Sequence, residues 1–153
     1  SLLAQNFTIS QKRGRMHKLN HILIVDNDEI NNVFTQIILE DADICHRFTV
    51  CQSVPEAFDF LHNATQQQDI SFPDLILIDL SMPEYNGFDF LDSYHNIGYD
   101  AAHQSTIFIL SSAGNRSVKE RALRYAIVNG FLQKPLSLVM LQDLLSRTVQ
   151  ING

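Results

Sequence analysis

Cysteine is scarce: Cys45 and Cys51 are the only two in 153 residues, and they do not make a C-x-x-C pair. Two thiols build no disulfide framework, so a reducing cytoplasm is the expected setting. Long apolar runs are missing as well. No stretch approaches the roughly 20 residues of a membrane span, and Leu2-Leu3-Ala4 is too short for the core of a secretory leader. Positive charge is in deficit, with 11 bases against 17 acids and a formal net charge of −6. A domain of that sign grips phosphate backbones poorly, so neither nucleic acid nor a membrane is expected as a direct partner. There is no internal repeat, and the one low-complexity tract is Gln66-Gln67-Gln68.

What is present is ordinary globular composition, 45% hydrophobic and 18% charged, in a chain of one-domain size that can bury a core without metal or disulfide staples. Residues 1–18 read as a polar, solvated arm with a basic cluster of Lys12, Arg13, Arg15 and Lys18. Met16 is an alternative native start, which would leave the residues ahead of it outside the natural protein. The folded domain is expected over 19–150, with 151–153 as its C-terminal end.

Two hydrophobic periods alternate along the domain. Ile22-Leu23-Ile24-Val25 is a continuous β-branched run that suits a strand covered on both faces. Ile30, Val33, Phe34, Ile37 and Ile38 then follow helical spacing and predict the buried stripe of an amphipathic helix. Phe48 to Cys51 is a weaker strand. Ser53-Val54-Pro55-Glu56 reads as a capping box ahead of Ala57, Phe58 and Leu61. Asp74 to Asp79 is the clearest buried strand, followed by a helix carrying Phe88, Leu91 and Tyr94. Ile107 to Leu110 is another strand. Ser117 to Glu120 predicts a second capping box, opening a helix with Ala122, Tyr125 and Ala126. Gly130-Phe131-Leu132 is a last short strand, and Leu138, Leu141, Leu144 and Leu145 mark the final helix. Five strands alternating with five helices predict an α/β domain with a parallel sheet covered on both faces.

In such sheets ligands bind beyond the carboxyl ends of the strands. The first strand ends in Asp26-Asn27-Asp28, the third in Asp79, the fourth in Ser111-Ser112, and the fifth runs into Lys134-Pro135. Each residue has a plain explanation when taken singly. Asp28 or Asn27 suits a helix cap, a serine often ends a strand, and a lysine before proline is usually extended and solvated. Together, carboxylates, a hydroxyl and an ammonium at converging strand ends make a site for a hard cation and a phosphoryl group. An aspartate there can act as a nucleophile toward phosphorus.

These motifs, namely Ile22 to Asp26, Asp74 to Pro83 with Asn86-Gly87, Ile109 to Ser112, and Gly130 to Pro135, resemble those of the receiver domains of two-component response regulators. The resemblance covers roughly residues 20 to 150. It implies a flavodoxin-like (βα)5 domain with strand order 2-1-3-4-5. It implies that Asp79 is a phosphoacceptor for a sensor histidine kinase or histidine phosphotransfer protein. Asp26, Asn27, Asp79 and the Ser81 backbone carbonyl would hold Mg2+, and Lys134 would pair with the phosphoryl group. Ser111 and Phe131 would be the switch pair, the Lys134–Pro135 peptide cis, and Ser81 and Ala113 neighbours of the water path. A downstream protein effector would read the fourth helix, fifth strand and fifth helix, a face that also suits a homodimer.

One departure bears on the metal. Where the family tends to carry a second acid after the first strand, this chain has the neutral Asn27. Weaker Mg2+ binding is therefore expected, with Asp28 as a substitute if its loop turns inward. The alternative function is a pseudo-receiver, a protein-interaction module independent of phosphorylation. An aspartate-nucleophile phosphatase would need a second acid at the position of Ser81, so no enzyme activity beyond self-phosphorylation and self-dephosphorylation is expected.

Overall fold

The computed structural model describes residues 18–112 and 116–152, with the side chains of 148–152 left aside. Residues 1–17 of the expected arm, and Ala113, lie outside the described residues. Elements follow in the order β1 (Leu19–Val25), α1 (Glu29–Ala42), β2 (Cys45–Cys51), α2 (Val54–Gln66), β3 (Leu75–Asp79) and α3 (Gly87–Ile97). Then come α4 (Tyr99–Ala102), β4 (Thr106–Ser111), α5 (Arg116–Leu123), β5 (Val128–Gln133) and α6 (Leu138–Asn152). All neighbouring strands pair in parallel, in the order β2-β1-β3-β4-β5. This is the flavodoxin-like doubly wound sheet expected from the alternation and the resemblance. The single-turn α4 is an addition that the periodicity did not announce.

Strand side chains alternate between two cores, as the period of 2 requires. Leu23, Val25, Ile76, Ile78, Ile107 and Ile109 face one core, which α2, α3 and α5 close with Leu61, Phe90, Leu91 and Ala122. Ile22, Ile24, Leu75, Leu77, Phe108 and Leu110 face the other, under Leu39 of α1 and Leu141 and Leu144 of α6. Each large apolar side chain so buried stabilises the fold by about 1.5–3 kcal/mol. Both cysteines lie in these cores, and burial pushes their thiols up to about 11 for Cys45 and about 12 for Cys51.

At the amino end of the sheet, the Asp74 carboxylate accepts the Asn20 and His21 N–H groups, both at 2.9 Å, so β3 begins only at Leu75. His21 is fully buried. Its Nε2 lies 2.7 Å from Thr49 Oγ1, and its Nδ1 lies 3.0 Å from the Ser71 carbonyl.

The helices show three departures from the sequence reading. In α1 the expected buried stripe faces outward: Ile30 is 71% exposed, Val33 56%, Phe34 57% and Ile37 48%, and of the five only Ile38 packs inward. The buried face is Asn31, Asn32, Thr35 and Leu39 instead. At about 100° per residue the two sets lie on nearly opposite sides of the helix. The inward orientation is dictated by hydrogen bonding to the end of β1, described below, which outweighs the apolar stripe.

Next, Ser117 lies inside α5 rather than capping it. The helix stops at Leu123 because Arg124 and Tyr125 donate to the carbonyls three residues back, tightening the last turn. Tyr125 and Ala126 therefore belong to the turn into β5, which starts two residues before Gly130. Third, Asn86, which entered the sequence reading only through the Asn86-Gly87 motif, has a helix-capping role. It caps α3 in a reciprocal capping box with Asp89. The Ser53 cap of α2 forms as read, accepting the Glu56 N–H at 3.2 Å.

Candidate functional site at the carboxyl ends of the strands

Asp26 follows β1 directly and is fully buried. Its carboxylate can stay there because donors converge on it. Oδ1 accepts the Asp28 N–H at 3.0 Å, and Oδ2 accepts Asn31 Nδ2 at 3.1 Å. Asn32 Nδ2 donates to the Asp26 carbonyl at 2.7 Å. This explains why α1 turns its amides inward: a buried acid without donors would cost several kcal/mol. Asn31 and Asn32 are site residues that the sequence reading missed. The signal available was two adjacent amides, five and six residues past a strand-end aspartate.

Asp79 closes β3 and is 7% exposed. Its Oδ1 accepts the Ser81 N–H at 3.0 Å. The loop beyond it is held tight by Gly87, where an added Cβ would sit 2.9 Å from the Asp79 carbonyl oxygen and 2.7 Å from Leu80 Cδ2. Glycine is required here by close approach rather than by dihedral angle.

Lys134 bridges the two acids. Its Nζ lies 2.5 Å from Asp26 Oδ2 and 3.1 Å from Asp79 Oδ2. The Lys134 N–H donates to the Ser111 carbonyl at 2.9 Å, fastening the end of β5 to the end of β4, and the Lys134–Pro135 peptide is cis. Burial pushes the Asp26 carboxyl above its ordinary range, against the pull of the Lys134 and Asp28 hydrogen bonds. Burial also works against the Lys134 charge, but Asp26 and Asp79 outweigh it and hold the ammonium above its usual value. Two carboxylates and one ammonium leave the cluster with one net negative charge.

The structure thus brings Asp26, Asp79, Lys134 and the backbone of Ser81 and Ser111 together. Phe131 is half-buried on β5 and packs against the core that α5 covers. Asn27 is exposed, and Asp28 is committed as the cap of α1, accepting the Asn31 N–H at 3.0 Å.

Among the described residues, no group of three or more His, Cys, Asp or Glu side chains gathers that could hold a metal by itself. The two aspartates nevertheless suit Mg2+, which commonly takes one or two carboxylates and keeps several waters. Asp26 Oδ1 and both Asp79 oxygens each accept one of the bonds above and keep a lone pair to offer, whereas Asp26 Oδ2 is taken by Asn31 and Lys134. No described helix is long and apolar enough to cross a membrane.

Comparison with known proteins agrees with this fold. Among solved structures, a two-component response regulator from Cytophaga hutchinsonii superposes with a TM-score of 0.78 at 22% identity, covering 87% of this chain and 98% of that one. A response regulator receiver domain protein from Clostridium thermocellum gives 0.70 at 19% identity, covering 88% and 97%. The Vibrio cholerae chemotaxis protein CheY4 gives 0.66 at 22% identity, covering 85% and 98%. No curated protein matches the chain in sequence. Residues 22–146 match the response regulator receiver domain family, most of the chain's length, and the chain belongs to that family.

Proposed function

We propose that this receiver accepts a phosphoryl group on Asp79 from the phosphohistidine of a sensor histidine kinase or phosphotransfer protein. Receiver domains are signalling modules rather than enzymes, and they generally bind Mg2+ at an acidic pocket. The observation that carries the reading here is the Lys134 ammonium shared by two buried strand-end carboxylates. An Asp79 oxygen attacks phosphorus, the P–N bond to the donor imidazole breaks, and the leaving nitrogen keeps the electron pair and takes up a proton. Lys134 then turns from the carboxylates to the charge spread over the phosphoryl oxygens. Mg2+, held by Asp26, Asp79 and the Ser81 carbonyl with a weak contribution from Asn27, would supply further charge neutralisation.

The new dianion, about −1.5 to −2 in charge, is a hydrogen-bond acceptor within reach of the β4 end. The Ser111 hydroxyl moves to it, and Phe131 follows inward. The face of α5, β5 and α6 is the surface so altered, to be read by a downstream protein or by a second receiver. Exposed Leu123, Leu138 and Val139 on that face support an apolar partner. The test is incubation with Mg2+ and a small phosphodonor such as acetyl phosphate, read by intact mass. One phosphoryl group on the wild type and none on Asp79→Asn is the expected result. No adduct with either acetyl phosphate or a phosphorylated histidine phosphotransfer protein would leave the pseudo-receiver reading.

A further inference from the structure

A groove of about 450 Å3 opens between the first half of α1, the end of β2 and the start of α2. Val33 and Val50 give it apolar walls, and Glu29 and Glu56 bring two carboxylates. The rest of its lining is Asn and Gln, and no lysine or arginine enters it. That volume is in the range of small-molecule sites. The carboxylates alone would not mark a ligand site, because the positive ends of two helices offset part of their charge.

The decisive atom is Asn32 Oδ1. Asn32 lines the groove and is 6% exposed. Its Nδ2 donates to the Asp26 carbonyl at 2.7 Å, which fixes the orientation of the amide and turns Oδ1 away from that carbonyl, on the groove side. Oδ1 is buried and has no hydrogen-bond partner among the described residues. Native proteins leave few buried acceptors unmade, since each costs the desolvation of the group. The carboxylates are placed to join it. Glu56 Oε2 accepts the Gln52 N–H at 2.9 Å, which fixes the side chain and leaves Oε1 to a ligand. Glu29 has no hydrogen-bond or ion-pair partner among the described residues.

We infer that the groove binds a small organic cation, an alkyl ammonium or guanidinium. Its N–H groups donate to Asn32 Oδ1 and to the Glu29 and Glu56 carboxylates, and its methylenes lie between Val33 and Val50. The acids reject an anion, and a bare metal ion leaves the valine walls unused. Because one amide serves both sides, a donor on Asn32 Oδ1 polarises Nδ2 and strengthens its bond to the Asp26 carbonyl. The groove is thus joined to the strand-end site through a single residue, while using neither Asp79 nor Lys134.

The test titrates agmatine, a short alkyl chain with an ammonium at one end and a guanidinium at the other, into the isotope-labelled full chain. Ionic strength is held constant, and butanediol serves as the uncharged control. Shift changes should centre on residues 29–36 and 50–56, include the Asn32 side-chain amide, and saturate with agmatine alone. Nuclear Overhauser contacts should join the agmatine methylenes to the Val33 and Val50 methyls. Glu29→Gln with Glu56→Gln should weaken binding at least tenfold, the glutamine at 56 keeping a capping acceptor. Asn32→Ala, which removes the unpartnered acceptor, should do the same in a chain whose remaining spectrum stays native. Asp79→Asn should leave the affinity unchanged. Shifts that never saturate, or that spread over the acidic surface, would overturn the inference. So would undiminished binding by the double glutamine variant, or loss of binding in Asp79→Asn, which would place agmatine at the strand-end carboxylates instead.

Discussion

Lys134 holds Asp26 and Asp79 with a single ammonium, 2.5 Å from one carboxylate and 3.1 Å from the other. All three side chains are at most 10% exposed, so water does little of the neutralising. Replacing Lys134 by Met leaves two buried like charges facing each other, a loss on the order of 3 kcal/mol. The deficit should shrink as pH falls. Burial already raises the Asp26 carboxyl and Lys134 pulls it back down, so without the ammonium Asp26 gains affinity for a proton in the folded state, and the folded variant is stabilised by acid relative to the unfolded one. Urea unfolding of wild type and Lys134→Met at neutral and mildly acidic pH checks both signs.

Asn27 sets metal affinity by what it does not bring. Asn27→Asp adds a charge beside Asp26 and should tighten Mg2+ binding several-fold, measured by titration against amide shifts or intrinsic tyrosine fluorescence. Affinity in the wild type equal to or above that of Asn27→Asp would show that the neutral side chain costs nothing.

Gly87 is held by contact with the phosphoacceptor loop. Gly87→Ala places a methyl 2.9 Å from the Asp79 carbonyl oxygen and should destabilise the domain by about 1–3 kcal/mol. It should also slow acetyl phosphate labelling more than a stability loss of that size explains at 25 °C, where the variant remains folded.

His21 predicts an acid limit unrelated to the strand-end site. Burial is the main cause holding its imidazole below the ordinary value of 6.5. The unfolded chain therefore takes up a proton that the folded chain refuses. The stability contribution is complete above pH 6.5 and declines as pH falls below it. His21→Gln should flatten the pH dependence of the urea midpoint between about pH 6.5 and 5.5. An unchanged slope would locate the acid sensitivity elsewhere.

The strands and the acids at their ends were legible in the sequence because continuous apolar runs in a parallel sheet leave little choice. Ile22 to Val25 and Leu75 to Ile78 have no amphipathic alternative, and their last residues are placed by where the run stops. Helix orientation was not legible in the same way. Ile30, Val33, Phe34 and Ile37 carry the correct period but face outward, because Asp26 needs the amides of Asn31 and Asn32. Periodicity reports that one side of a helix is apolar, and it cannot say whether a buried acid has a prior claim on the other side. The α5 boundary failed for a local reason, since Tyr125 and Ala126 keep helical spacing after the hydrogen bonding has tightened into a turn.

The Asp74 carboxylate, tied to two successive N–H groups of β1, acts as a stop at the far end of the β1–β3 seam. The strands of that seam cannot slide past one another without surrendering both bonds. A change at Asp79 therefore has no axial travel available along its own strand. A displacement of β3 driven from the Asp79 end would have to break both bonds at the opposite end, so Asp74 serves the seam as a fixed post.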